Sequence, residues 1–180
     1  MLSRRLTIGY MSDIMLISKT HAYKSFEHEI KYCGWGTMED YQAAFLERAN
    51  DVEVLDKAGR RTAAMHFGGV AIECYLKYLI FTSLPEEAKW EWKTGENDPG
   101  HTITNPGHSY QNALRCYNKL WSLVQRAPHV LKWLNEIENP EGHFIDLRYL
   151  GKQPDDAKYK QWRKSYQGLL GWLRANSSKL

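Results

Sequence analysis

The chain of 180 residues contains little cysteine and carries little net charge. Its three cysteines, Cys33, Cys74 and Cys116, are far apart and form no Cys-x-x-Cys pair, which argues against a disulfide framework and a structural zinc site. Cysteines used in this way are typical of a reducing compartment, so we expect a cytoplasmic protein. The formal net charge of +3 is too small to indicate nucleic acid by itself.

Long apolar runs are also missing. No segment approaches the ~18 consecutive apolar residues that a membrane-spanning helix needs. The N-terminal stretch places Arg4 and Arg5 before apolar residues, as signal peptides do, but Asp13 interrupts the run and no small-residue cleavage site follows. We therefore expect neither secretion nor a membrane partner.

The sequence lacks the common motifs of phosphate and metal chemistry. It contains no glycine-rich phosphate loop, no His-Glu-x-x-His and no Gly-x-Ser-x-Gly. His101 and His108 lie near Glu96 and Asp98, but in a segment rich in glycine and proline. The spacing of residues in such a loop fixes no ligand geometry, and we favour solvated histidines there. The sequence thus predicts no metal and no cofactor.

Aromatic residues at helical spacing are abundant. The chain contains seven tryptophans and eleven tyrosines, and from Thr37 onward apolar residues recur every three or four positions. Five segments show this pattern: 39–57, 61–82, 109–125, 128–137 and 156–176. With no convincing strand between them, they predict an all-α, up-and-down bundle of four to six helices. Residues 37–180 then form a single helical domain, and residues 1–36 an N-terminal extension of unknown structure.

Local signals predict where these helices end. Thr37 and Asp40 resemble a capping box at the first helix, and Gly59 is expected to end it. Pro128 suits the first turn of the fourth helix, and Asp155 suits the N-cap of the last. The segment 84–107 contains three prolines and three glycines and shows no period, so we expect a long loop there.

The segment 61–82 is the most apolar, and we predict that it is central to the bundle. Between His66 and Phe81 its only charged residues are Glu73 and Lys77. They stand four residues apart, in the order that favours an ion pair on a helix.

Two adjacent glycines, Gly68 and Gly69, interrupt this apolar segment. Inside a helix each costs about 1 kcal/mol relative to alanine, so their presence suggests the close approach of another helix. The chain also contains many tryptophans, which a monomer would have to bury without help from a second copy. The two glycines and these tryptophans lead us to expect a homodimer.

Charge is divided unevenly between the first and last helices. Residues 39–57 carry six acids against two bases, whereas residues 151–180 carry seven bases against two acids. Two arrangements account for this division. Either the two helices lie side by side, or the last helix offers a surface for phosphate.

Two sets of residues are candidates for contact with phosphate. Arg61 and His66 match an Arg-x4-6-His pattern, in which the arginine binds phosphate while the histidine moves a proton during RNA cleavage. The alternative is a basic helix N-terminus beside a partly buried histidine. Arg148 and Tyr149 form a pair that can hold phosphate and stack a base. The alternative for Arg148 is an ion pair with Glu73 or another acid inside the bundle.

The order of these elements resembles the HEPN superfamily of small helical domains, which are often found beside nucleotidyltransferases. The resemblance covers roughly residues 38–175. It depends on four pieces in order: Ala63-Ala64-Met65-His66-Phe67, then Glu73-Cys74-Tyr75-Leu76-Lys77-Tyr78-Leu79, then His108-Ser109 opening a helix, and Leu147-Arg148-Tyr149 before the last helix.

The resemblance implies roles for individual residues. Glu73 and Lys77 correspond to the family's Glu-x-x-Leu-Lys, His108 to its helix-opening histidine, and Arg148 with Tyr149 to its Arg-Tyr step.

The chain also departs from the family pattern. Gly68-Gly69-Val70 replaces a glutamine-rich turn, and Leu150 replaces a common proline. The ribonuclease branch carries its Arg-x4-6-His late in the chain, whereas no histidine follows Arg148 here. This departure argues against ribonuclease activity.

We therefore expect a HEPN-like module without catalysis of its own, which binds a nucleotide, RNA or a nucleotidyltransferase partner and forms a homodimer. Two alternatives stay open. One is a metal-independent, toxin-like HEPN ribonuclease that uses Arg61 with His66, or His108 with Arg148. The other is a structural, homodimeric interaction domain.

Overall fold

A computed structural model describes residues 40–84 and 106–177, and all regular structure in these two ranges is helical. The elements are α1 (Tyr41–Lys57), α2 (Arg61–Ser83), α3 (Tyr110–Arg115), α4 (Asn118–Gln125), α5 (Pro128–Glu138), a 3-10 helix (Phe144–Tyr149) and α6 (Asp156–Asn176). The described residues contain no strand, which confirms the predicted all-α bundle. The predicted extension, residues 1–36, lies outside these ranges, as does nearly all of the predicted loop.

Short-range hydrogen bonds set the helix ends. The Asp40 carboxylate accepts a hydrogen bond of 2.8 Å from the Ala43 amide, so α1 begins at Tyr41 with Asp40 as its N-cap rather than with the predicted Thr37. Gly59 follows α1 with a φ of +68°, a left-handed conformation that glycine adopts without a steric penalty. Asp155 caps α6 in the same way as Asp40 caps α1, by accepting from the Lys158 amide at 2.8 Å.

The predicted helix 109–125 is two helices in the structure. The chain bends at Tyr117, whose φ of −129° and ψ of 92° are extended. Before the bend α3 packs on α2, and after it α4 packs on α5. Apolar residues keep helical spacing through the bend, so their periodicity gives no signal of it. The change of direction is imposed by tertiary packing.

Helix α2 is the centre of the bundle, as predicted. Thirteen of its 23 residues are buried. It packs against α1 along its length and also contacts α3, α5, the 3-10 helix and α6. None of the helices in the described ranges combines the length and apolar character that crossing a membrane requires.

The glycine pair of α2 receives two aromatic rings from the same chain. A Cβ atom at Gly68 would lie 2.6 Å from the Trp162 ring of α6, and one at Gly69 would overlap the Phe144 ring of the 3-10 helix. The predicted close approach is confirmed, but side chains within one chain make it. The glycines therefore give no support to a dimer.

Helices α1 and α6 contact each other through complementary charges, which is the first of the two predicted arrangements. The Arg163 guanidinium lies 3.1 Å from Glu53 and 3.1 Å from Asp56. The Tyr159 hydroxyl donates to Asp56 at 2.5 Å, and burial together with this bond raises the tyrosine pKa above its ordinary value. Because Arg163 is held by two carboxylates, it is not available as a phosphate ligand.

Substituting Gly69 by alanine tests the aromatic contact on α2. We expect Gly69→Ala to lower the free energy of unfolding by about 1–3 kcal/mol, because the new methyl group would overpack against Phe144. Gly171→Ala on α6 is the control, since a Cβ there meets nothing within 4 Å and alanine favours the helix by up to about 1 kcal/mol. Urea unfolding measures both. Equal effects in the two variants would contradict the packing described here.

Candidate functional site

Three of the predicted site residues meet around one buried carboxylate. Glu73 accepts a hydrogen bond from Lys77 Nζ at 2.7 Å through Oε1, while its Oε2 lies 2.8 Å from His108 Nδ1. The side chains of Glu73 and Lys77 are only 11% and 9% exposed, whereas that of His108 is 58% exposed. We call these three residues the carboxylate cluster.

The local fold brings the cluster together. Glu73 and Lys77 are one turn apart on α2, so their side chains lie on the same face. His108 comes just before α3, whose N-cap is Ser109. The next residue anchors α3 to α2, because the Tyr110 hydroxyl donates to the Gly69 carbonyl oxygen at 2.6 Å. Burial, with a further contribution from the Glu73 charge, raises the pKa of Tyr110 well above its ordinary value, which keeps this donor protonated.

The carboxylate cluster has a structural consequence and a chemical one. A buried charge is stable only when it is paired and hydrogen-bonded, and both oxygens of Glu73 have a partner. A carboxylate that contacts one imidazole nitrogen also orients the ring. His108 is thus a fixed imidazole in contact with solvent.

Phe144, which is buried beside Gly69, contacts several of the candidate residues. Its carbonyl oxygen lies 3.0 Å from Nδ1 of the predicted residue His66. Its ring stacks on Tyr110 at 5.4 Å between centroids and meets the His108 ring edge-on at 6.4 Å. The sequence analysis missed Phe144 and Tyr110. The glycine pair on α2 was the available signal for them, since the space left by two missing side chains has to be filled by large side chains from other elements.

A third histidine lies beside Phe144 and was also missed. His143 is the N-cap of the 3-10 helix, and its Nδ1 accepts a hydrogen bond of 3.4 Å from the Ile145 amide. This role requires a ring nitrogen without a proton. Histidine is an uncommon N-cap, so the sequence offered no signal for it.

Arg148 and Tyr149 end the 3-10 helix at the surface. Both residues are exposed, Tyr149 to 75%. The Arg148 guanidinium carbon lies 4.7 Å from the centroid of the Tyr149 ring, and no carboxylate of the described residues pairs with it. The alternative in which Arg148 pairs with Glu73 is wrong, because Lys77 and His108 occupy the Glu73 oxygens.

Arg61 and His66 are not brought together. Arg61 pairs with Asp156 at 2.5 Å and lies over the Tyr159 ring at 5.5 Å, so it is directed towards α6. His66 is directed towards the 3-10 helix instead. The predicted Arg-x4-6-His pair therefore does not assemble within α2.

Neither a metal site nor an arginine–histidine pair is found in the part of the chain that the structure describes. No group of three His, Cys, Asp or Glu side chains there is placed to hold a metal ion. No hydrogen bond there joins His108 to Arg148, and His101 lies outside the described residues.

No family model, curated protein or solved structure matches this chain. The HEPN resemblance depends only on the residues quoted for it.

A double-mutant cycle tests the carboxylate cluster. We expect Glu73→Gln and Lys77→Met each to cost about 3–5 kcal/mol, because each leaves a buried charge without a counter-charge on its own helix. The double variant is expected to lose less than the sum, with a coupling of about 1–3 kcal/mol measured by urea unfolding.

The exposed pair Arg48–Asp51, with side chains 38% and 40% accessible, provides the control for this cycle. Arg48→Gln and Asp51→Asn should couple by about 0–1 kcal/mol, as solvated pairs do. A coupling at Glu73–Lys77 no larger than this would show that the buried pair is not a unit.

Proposed function

We propose that the chain is a HEPN-like helical module that binds a nucleotide or RNA through Arg148 and Tyr149, without catalysis of its own. One observation carries the proposal. Arg148 is an exposed arginine that has no carboxylate partner among the described residues and lies over an exposed aromatic ring.

The chemistry of the pair suits a nucleotide. The planar guanidinium can donate two parallel hydrogen bonds to two oxygens of one phosphate. A tyrosine ring exposed to 75% offers a stacking surface for a base. Both residues belong to a 3-10 helix that Phe144 anchors to α2. Their backbone is therefore held in a fixed position relative to α2.

The carboxylate cluster supports this site in the proposal. The contact between Glu73 and His108 fixes the start of α3 to α2. The His108 ring in turn contacts the Phe144 ring. His108 also adds a solvent-accessible imidazole on the side of Phe144 that faces α3. Its protonated form would attract the negative charge of a phosphate.

Substitution of Arg148 tests the site directly. We expect Arg148→Ala to weaken binding of a labelled nucleotide or RNA oligonucleotide about 10- to 100-fold, which corresponds to the loss of a charge-assisted contact. Arg148→Lys should recover only part of the loss, because an ammonium cannot bind two oxygens in the fork geometry. Lys152→Ala is the control, since its side chain is 76% exposed and lies four residues away.

Replacement of Tyr149 separates stacking from charge. We expect Tyr149→Phe to bind as the native chain does and Tyr149→Ala to lose about 1–3 kcal/mol of binding free energy. Circular dichroism establishes that each variant is folded. Unchanged binding by a folded Arg148→Ala variant would contradict the proposed site.

A metal-independent ribonuclease is the second candidate, and the 2.8 Å contact between Glu73 and His108 favours it. An imidazole oriented by a carboxylate and open to solvent can take the proton of a ribose 2′-hydroxyl. If the chain cleaves RNA in the presence of a chelator, His108→Ala should slow cleavage about 100-fold or more, whereas His129→Ala on α5 should not. Intact RNA with the native chain would reject this candidate.

The homodimer, the nucleotidyltransferase partner and the cytoplasmic location also stay proposals. The four described tryptophans are buried or partly buried in their own chain, so they do not demand a partner. The exposed leucine and valine of α1, Leu46 and Val54, are 50% and 66% accessible and are the observation in favour of an interface. Sedimentation distinguishes a dimer from a 21.0 kDa monomer.

A further inference from the structure

The 3-10 helix arranges its side chains in three rows along its axis. A 3-10 helix has three residues per turn, so side chains three positions apart lie one above the other. Its six residues, Phe144–Tyr149, therefore form three pairs. One pair, Phe144 and Leu147, is buried with 0% and 3% exposure and faces the core. This buried pair fixes the orientation of the other two rows.

Asp146 and Tyr149 form one of the outer rows. Both residues are exposed, as the threefold repeat requires for a row that does not face the core. The Asp146 amide donates to the His143 carbonyl oxygen at 2.9 Å, and the Leu150 amide donates to the Leu147 carbonyl oxygen at 3.0 Å. Backbone hydrogen bonds therefore hold both ends of the helix, and the carboxylate lies on the same side as the tyrosine ring.

The Asp146 carboxylate has no partner in the part of the chain that the structure describes. It makes no ion pair and no side-chain hydrogen bond there. Arg148, which belongs to the remaining row with Ile145, lies over the Tyr149 ring instead of pairing with this acid. An ionised carboxylate offers two acceptor oxygens and no donor, so Asp146 can receive two hydrogen bonds from a ligand.

The Tyr149 ring has one face available to a base. The Arg148 guanidinium carbon lies over the other face, 4.7 Å from the ring centroid. Within the described ranges no second ring or cation contacts Tyr149, whose exposure is 75%. A base can therefore stack on the second face, as bases do on exposed aromatic side chains, with its edge directed towards Asp146.

We propose that Asp146 makes the Arg148–Tyr149 site selective for guanine nucleotides. The inference rests on the proposed function, since it requires that Tyr149 stacks a base. The Watson–Crick edge of guanine carries two adjacent donors, the N1–H group and the N2 amino group. The two oxygens of one carboxylate accept both of them. Arg148 binds the phosphate of the same nucleotide.

The other bases present an acceptor to the carboxylate. Adenine and cytosine each place an amino group next to an unprotonated ring nitrogen, and uracil places its single N–H group between two carbonyl oxygens. An acceptor that faces a carboxylate oxygen is repelled by it and leaves that oxygen without a hydrogen bond. A row that carries a carboxylate and no donor therefore favours guanine over the other three bases.

The test compares nucleoside 5′-monophosphates that differ only in the base. We expect the native chain to bind GMP about 10- to 100-fold more tightly than AMP or UMP, as measured by titration at one salt concentration. IMP keeps the N1–H group of GMP but lacks the N2 amino group, so its affinity should lie between those of GMP and AMP. Because all four ligands share the ribose phosphate, their affinity ratios report on the base alone.

Asp146→Asn should change the preference rather than abolish binding. A side-chain amide combines one donor with one acceptor, which matches adenine better than guanine. We expect the ratio of GMP to AMP affinity to fall about 10-fold or more, with AMP bound more tightly than by the native chain. A misfolded variant would not gain affinity for AMP. Glu47→Gln on α1 removes the same charge from an exposed position and should leave the ratio unchanged.

Three results would overturn the inference. The first is equal affinity of the native chain for GMP, IMP, AMP and UMP. If Arg148→Ala then weakens all four, the proposed nucleotide site stands and only its guanine selectivity fails. The second is an unchanged ratio of GMP to AMP affinity in a folded Asp146→Asn variant. The third is the absence of binding to all four nucleotides at low salt, which would reject the nucleotide site together with its selectivity.

Discussion

The missing side chain at Gly69 is the constraint on which the candidate site depends. It lets the Phe144 ring lie against the backbone of α2, where no other residue would leave room. That contact fixes the 3-10 helix that carries Arg148 and Tyr149. The Gly69 carbonyl oxygen also receives the Tyr110 hydroxyl, which fixes α3. One position of α2 thus sets the location of two elements that are distant in the sequence.

The helices and their ends could be predicted because their causes are local. Asp155 and Gly59 act on the backbone within a few residues, and apolar spacing is set by the helical repeat. The bend at Tyr117 was missed because it depends on where α4 packs, which spacing does not record. The glycine pair predicted a close approach. It did not predict which group makes that approach, because a helix and an aromatic ring can both pack against a helix surface that lacks Cβ atoms.

The candidate site, like the fold, was predictable only where its causes are local. The Glu73–Lys77 pair follows from their spacing on one helix, whereas His108 is 35 residues away and was identified only by resemblance. The Arg61–His66 pair failed because a separation of five residues turns the two side chains about 140° apart around a helix. Each then found a partner on a different element. For Arg61 and His66, contacts across the bundle decide which partner each residue has.

The central place of α2 has a consequence for how the chain is made. Its contacts with α1 close a short loop, so this hairpin needs little ordering of the chain before it forms. Its other side is covered by Phe144, 75 residues beyond Gly69, and by Trp162, later still. During synthesis this side of α2 therefore stays uncovered until Phe144 and Trp162 have left the ribosome. We expect nascent chains that stop before Phe144 to be prone to aggregation and to depend on chaperones.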